Sequence, residues 1–336
     1  MYFMKIAVVG CGALGSFYGA RLGRGGQEVH FLLRTDYETV KSNGVSIKSP
    51  EGDFEFHPKC ALKPDEIGIC DLVVIALKTT ANHRYRDLLP PLVGEKTAIL
   101  TLQNGLGNES ALEKLFPKEQ IMGGLCFVCL NRLKPGLIEH IAHGKIVLGE
   151  YERPPLPRTQ EIATMLERSG TPCKVADSLE RAHWEKLIWN IPFNGLGVAA
   201  TAGYEACITG ELPPRSHRAT QAVTTDRLLN DPNWTQLVRD LMNEVIHTAN
   251  SLDLKVDPAL AERNIEETKE MGAYRASTLV DFERGHPLEL DSIFLTPLRI
   301  AKQHKIETPR LELLCRVLQQ LQPIAAAKRR PSNPAD

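Results

Sequence analysis

No apolar run in these 336 residues approaches the ~20 needed to span a bilayer. The longest, such as 72–77, are strand-sized. A net field is missing too: 40 basic residues face 41 acidic ones, which argues against charge-driven recruitment to nucleic acid or to an anionic membrane. The opening Met1-Tyr2-Phe3-Met4-Lys5 runs into Ile6-Ala7-Val8-Val9, and glycines end that stretch too early for a secretory signal. The expected compartment is the cytoplasm. A basic run occurs only at Lys328-Arg329-Arg330, in an Ala/Pro/Ser-rich end expected to be a disordered tail over 327–336. The eight cysteines do not form a small secreted framework. Their one C-x-x-C, Cys126 to Cys129, lies in a strand-like run where residues three apart point to opposite faces, which opposes a disulfide and a shared metal alike. His140 and His143 are mis-spaced in the same way, so no metal site is expected.

What is present is enough chain for two buried cores, with the hydrophobic and charged shares of an ordinary globular protein. The first half alternates short apolar runs with helical patterns, as a mostly parallel sheet covered by helices would. Strands are expected over 5–9, 29–33, 72–77, 98–101 and 121–128, with helices over 13–24, 36–42, 83–89 and 109–115. A hairpin is expected from strands 137–142 and 145–149 turning at His143-Gly144. A proline-rich loop, 153–157, precedes a helix over 158–169 and a strand over 173–175. Beyond Asp177 the strand signal fades, and helices are expected over 178–190, 215–229, 234–251, 258–271, 288–304 and 309–321. The domains read as 1–176 and 177–326.

Gly10-Cys11-Gly12-Ala13-Leu14-Gly15 is a G-x-G-x-x-G that follows a buried strand and opens a helix. Gly10 permits the tight turn, Gly12 lets the backbone approach a pyrophosphate, and Gly15 lets the helix pack close to its strand. Phosphates would sit at the helix N-terminus, where unpaired N–H groups favour negative charge. The fold class is therefore an α/β Rossmann-like N-terminal domain, mostly parallel and doubly wound, followed by an all-α C-terminal domain. An NAD enzyme places an acid at the end of the second strand, about twenty residues past the glycines. Here that end carries Arg34, suited to the 2′-phosphate of NADP(H). Glu28 sits at the opposite end of the strand, and Asp36 is the acid near the right one. Lys78 and Asn104 follow two further strands, where such sheets bind ligands: Lys78 for a cofactor phosphate or ribose, Asn104 where nicotinamide and substrate meet.

Lys186, Asn190 and Asn194 are spaced four apart, so each step rotates about 40° and all three share one helical stripe. Together with the glycine motif, Leu77-Lys78, Gln103-Asn104-Gly105-Leu106-Gly107, His183-Trp184-Glu185-Lys186-Leu187, Ser277 and Glu289, this pattern resembles the ketopantoate reductase family from about Lys5 to Gln322. The resemblance implies NADPH-dependent reduction of 2-dehydropantoate, a small 2-oxo acid, to pantoate. Lys186 would be the proton donor, and Asn190 and Asn194 would bond the substrate's hydroxyl and oxo groups. Ser277 would meet its carboxylate, and Glu289 would contact the cofactor and the surroundings of the lysine. Two departures stand out. Pro192 should kink the helix and displace Asn194. Thr209 replaces the family's substrate-touching asparagine in Thr209-Gly210-Glu211-Leu212, and a hydroxyl cannot act as amide donor and acceptor together. Another 2-oxo acid or related carbonyl substrate, or a non-catalytic NADP-sensing protein, are the alternatives. The helical half could support a homodimer, with no residue marking its interface.

Overall fold

Strand β1 (Lys5–Val9) shows how the first half is built: Ile6 and Val8 enter one core, Ala7 and Val9 another, and all four are at most 1% exposed. A strand buried on both faces needs a continuous apolar run, not an alternating one, and that is what the sequence supplies. The computed structural model describes residues 3–214 and 223–328, which divide into two compact units, Met1–Ala182 and His183–Asp336.

In the first unit β1 pairs in parallel with β2 (Glu28–Leu32) on one side and with the strand Cys70–Ile75 on the other. Numbering in chain order, β3 is Val45–Lys48, β4 Phe54–Phe56, β5 Lys59–Ala61, β6 Cys70–Ile75, β7 Val93–Thr101, β8 Ile121–Lys134, β9 Leu137–Glu150 and β10 Cys173–Val175. The sheet order is β4-β3-β9-β8-β7-β6-β1-β2-β5, with β10 on β9. Helices α1 (Ala13–Arg24) and α5 (Pro157–Arg168) cover one face. On the other lie Tyr85 of α3 (Tyr85–Leu88) and Leu112 of α4 (Asn108–Glu113), while α2 (Tyr37–Asn43) follows β2. The sheet is wound in opposite directions from β1, so the carboxyl ends of β1 and β6 form the switch point where ligands bind in such folds.

Three short strands, β3, β4 and β5, escape the sequence reading because three or four residues carry too little period to recognise. The hairpin expected at His143-Gly144 is not there. Strand β9 runs unbroken as the 14-residue antiparallel partner of β8, and the turn lies between Lys134 and Leu137. Phe127 pairs with Lys145 and Val128 with His143, leaving Gly144 as the unpaired residue of a bulge. Positive φ at both His143 and Gly144 produces the local signal that resembles a turn.

The second unit is helical. Helix α6 (Leu179–Ala199) spans the division and buries Trp184, Leu187, Ile188, Ile191, Phe193, Leu196 and Val198. It is followed by α7 (Tyr204–Thr209), α8 (Thr225–Leu229), α9 (Pro232–Ser251), α10 (Leu260–Lys269), α11 (Ser277–Glu283), α12 (Thr296–Gln303) and α13 (Pro309–Lys328). Helix α9 starts two residues before its expected Trp234, because Asp231 accepts from the amides of Asn233 and Trp234 and Pro232 occupies the first helical position. The helix expected over 288–304 is a π-helical stretch, Asp291–Leu295, leading into α12. Pro297 removes the N–H that the carbonyl of Ile293 would have accepted. Of the helix expected over 215–229, the part 215–222 lies outside the described residues. Helix α13 reaches Lys328, into the stretch expected as tail; 329–336 lie outside the described residues. Among the described residues no helix is long and apolar enough to cross a membrane.

Candidate active site

The glycine motif forms a turn between β1 and α1. Gly10 has φ +102°, and a Cβ there would lie 2.5 Å from the Leu77 amide nitrogen, so the backbones leaving β1 and β6 touch. A Cβ on Gly15 would lie 2.3 Å from the Gly10 carbonyl oxygen, so α1 rests directly on the turn. Gly12 differs: nothing lies within 4 Å of the Cβ it lacks. It caps α1, whose first turn has no acidic residue and no side-chain cap, so no acid of that turn competes at the helix N-terminus. The open space at Gly12 fits a pyrophosphate. Cys11 holds the turn to the sheet, its thiol bonding the carbonyls of Val8 (3.3 Å) and, at 3.7 Å, Leu32 at the end of β2. Desolvation pushes this thiol's pKa well up, and the neighbouring Cys60 and Asp36 push it further. Ala13 and Leu14 pack against the same core.

Beyond β2 the two charged candidates part company. Arg34 is exposed, while Asp36 is 6% exposed and bonded through both oxygens to Arg132 of β8. That pair is not legible locally, since 96 residues separate its members and the fold brings β8 to the end of β2. Glu28 lies in register with Lys5, at the other end of the strand. Hydrogen bonds from Lys59 and His30 hold its carboxyl down at about 2.

Lys78 is exposed and Asn104 half-buried, in the loops after β6 and β7. A chain of amides ties these loops together. Gln103 donates to Asn82 (2.8 Å), Asn82 to Asn108 (2.9 Å), and Asn108 to the carbonyl of Asn104 (3.2 Å). Tyr85 and Thr101 donate their hydroxyls to Gln103. Gln103 and Asn108 are buried, and neither Asn82 nor Asn108 carries a spacing that would have revealed its partner.

In the second unit Lys186 is half-buried on α6, and Asn190 and Asn194 are 7% and 2% exposed. Helix α6 continues through Pro192, and Asn194 donates to Asn190 at 3.4 Å, so the proline does not separate the two amides. Asn194 Oδ1 also accepts the Ser277 hydroxyl (3.2 Å) and the Thr278 amide (2.9 Å), which brings three of the candidate residues together. Glu289 is buried just before the π-helical stretch, where local widening of a helix often accompanies function. Thr209 is engaged otherwise: exposed at the end of α7, its hydroxyl donates to the Glu205 carbonyl (2.9 Å) and accepts from the Glu211 amide (3.3 Å). All eight cysteines are free, and among the described residues no group of three or more His, Cys, Asp or Glu is placed to hold a metal ion. Both ring nitrogens of His140 are taken, one by Ser49 (2.8 Å) and one by the His143 carbonyl (2.9 Å).

A glycine turn opening a helix at the switch point of a doubly wound sheet, followed by a helical unit with a cation and two buried amides on one stripe, defines a dinucleotide-dependent dehydrogenase or reductase. The chain matches the ketopantoate reductase PanE/ApbA model over residues 6–153 and its C-terminal model over 216–322. It is 36% identical to a 2-dehydropantoate 2-reductase of a Nostoc species, over 92% of each chain. The crystal structure of 2-dehydropantoate 2-reductase from Geobacter metallireducens superposes with a TM-score of 0.86 at 44% identity, covering 94% of this chain and 99% of that one. The enzyme of the same name from Methylococcus capsulatus gives 0.84 at 29%, covering 96% and 97%. The chain belongs to the ketopantoate reductase PanE/ApbA family of nicotinamide-dependent oxidoreductases.

Proposed function

We propose that this protein reduces 2-dehydropantoate to pantoate with NADPH, using residues 1–176 to bind the cofactor and 177–326 to bind and protonate the substrate. One observation carries the reading: Asn190 and Asn194, on the stripe of α6 that also bears Lys186, are bonded to each other, and Asn194 is bonded to Ser277 of α11. The nicotinamide, when bound, supplies hydride to the C2 ketone. Reduction leaves negative charge on the ketone oxygen, and the Lys186 ammonium stabilises that charge and gives up a proton to it. Asn190 and Asn194 hold the substrate's hydroxyl and oxo groups, and Ser277 meets its carboxylate. Gly10, Cys11, Gly12, Ala13, Leu14 and Gly15 receive the pyrophosphate at the N-terminus of α1. Arg34 takes the 2′-phosphate, Lys78 a phosphate or ribose, Asn104 the nicotinamide end, and Glu289 the cofactor beside the lysine.

Thr209 favours a second reading, another small 2-oxo acid, because its only hydroxyl proton is committed to Glu205. The test is NADPH oxidation with a panel of 2-oxo acids, run beside Lys186→Ala. Turnover of 2-dehydropantoate that collapses in the variant supports the first reading. Turnover of a different acid alone selects the second, and cofactor binding without any turnover makes the chain a sensor. The proposal extends to a cytoplasmic location and a homodimer, read by fractionation and by sedimentation.

A further inference from the structure

Asp36 lies two residues past Arg34, close to where NAD enzymes keep the acid that grips the ribose 2′-hydroxyl, about twenty residues past the last glycine of the motif. Its side chain does none of the usual things for a residue there. It caps no amide of α2, although it precedes that helix. Instead it is buried, takes a hydrogen bond from the Thr35 hydroxyl (3.1 Å), and has both oxygens on Nη2 of Arg132. Arg132 comes from β8, and its Nε is buried without a partner among the described residues. A guanidinium that leaves one buried donor bare while bonding a single carboxylate through one nitrogen is poorly explained by packing alone.

Resting on the NADPH reading above, we propose that Arg132 is a positioning residue for cofactor choice: it neutralises and restrains Asp36, so that Arg34 can receive a 2′-phosphate beside it. Without Arg132, the Asp36 carboxylate would carry an uncompensated negative charge next to the phosphate subsite and would be free to accept hydrogen bonds from a ribose diol. The first effect weakens NADPH and the second strengthens NADH, so the pair works on the ratio of the two affinities.

The test is the dissociation constants of NADPH and NADH, measured by nicotinamide fluorescence on the full chain, for Arg132→Met, Arg132→Lys and Arg132→Met/Asp36→Asn. The expected result in Arg132→Met is about ten-fold weaker NADPH with NADH unchanged or tighter, the size that one nearby uncompensated charge produces at a partly solvated site. Because one nitrogen serves both oxygens, lysine should restore most of the wild-type ratio. Removing the carboxylate charge in the double variant should restore it as well, and also covers the case in which Arg132→Met is too unstable to measure. Proportional losses of both cofactors in Arg132→Met, or a double variant no more selective than the single one, overturn the proposal. Arg34→Ala, run in parallel, separates this from the underlying reading. Equal losses of NADPH and NADH there overturn the 2′-phosphate assignment and the inference with it, whereas a NADPH-selective loss there alongside proportional losses in Arg132→Met overturns the inference alone.

Discussion

Asn194 and Thr278 are joined across two helices: the Asn194 carboxamide oxygen accepts the Thr278 amide at 2.9 Å, one of the four N–H groups that begin α11 without an intrahelical partner. Helix α11 has no cap of its own, since Ala276 precedes it. Asn194 therefore supplies from α6 the acceptor that a Ser or Asp would normally supply locally, and the same oxygen takes the Ser277 hydroxyl.

Asn194→Ala should lower stability by about 1–2 kcal/mol, the usual worth of a lost cap, and raise KM for the 2-oxo acid. Asn194→Asp keeps the acceptor and removes the amide donor. It keeps the cap but buries a charge facing Asn190 Oδ1, so its stability should be reduced at neutral pH and recover towards wild type as the carboxyl is protonated, while KM still rises. Denaturant midpoints at several pH values beside steady-state kinetics check both; an alanine variant as stable as wild type would refute the capping role.

That relationship also marks how far the sequence was legible. The glycine turn, β1, α1 and the Lys186–Asn190–Asn194 stripe could be read because each is local, set by spacing within a few residues. Pro192 was read locally too; α6 continues through it, and the two amides on either side remain bonded. The Asp36–Arg132 pair, the Gln103–Asn82–Asn108 chain and the reach of Asn194 to α11 join residues 21 to 96 apart. Such contacts carry no period, so only the folded chain reveals them. The His143-Gly144 bulge failed for the opposite reason, a strong local turn signal overridden by β8 pairing along the whole of β9.

Gly12 and Gly15 should respond to alanine in opposite ways. Gly12 has φ −77° and open space where a Cβ would go, so Gly12→Ala should fold with an unchanged melting temperature. The added methyl would fill the space offered to the pyrophosphate, and dinucleotide affinity should fall at least about ten-fold, as one lost close contact with a charged group would give. Gly15→Ala places a methyl 2.3 Å from the Gly10 carbonyl oxygen and forces α1 off the turn. It should destabilise the first unit by about 1–3 kcal/mol, in the range of overpacked cores. Thermal melts with and without NADPH distinguish the two, and a Gly12→Ala protein that binds NADPH normally would count against the site.

Acid should loosen the edge of the sheet through Glu28. Bonds from Lys59 and His30 depress its pKa to about 2, below its ordinary value of 4.5. A depressed carboxylate stabilises the fold above its unfolded pKa, and the contribution disappears as pH falls from about 4.5 towards about 2. With 26% of its side chain exposed, Glu28 is partly screened and the effect should be small. The gap in denaturation midpoint between wild type and Glu28→Gln should therefore be largest above pH 5 and close on acidification. A gap independent of pH would show that the ion pair contributes nothing through its charge.

Gln103 should act on the cofactor without touching it. Its side chain accepts from Tyr85 and Thr101 and donates to Asn82, which in turn bonds Asn108 and so the backbone of Asn104. Gln103→Leu keeps the volume and removes a partner from the buried hydroxyls of Tyr85 and Thr101 and from the half-buried Asn82, at a cost of about 1–3 kcal/mol for each group left unsatisfied. The loops carrying Lys78 and Asn104 would lose the tie that holds them at the carboxyl ends of β6 and β7. Since neither loop supplies the proton, KM for NADPH should rise several-fold while kcat changes little. Gln103→Glu, which keeps the acceptor for Tyr85 and Thr101 but loses the donor to Asn82, should fall in between. If kcat falls as steeply as affinity in both variants, the amide chain does more than fix the loops, and its link to Asn104 would have to reach the chemical step itself.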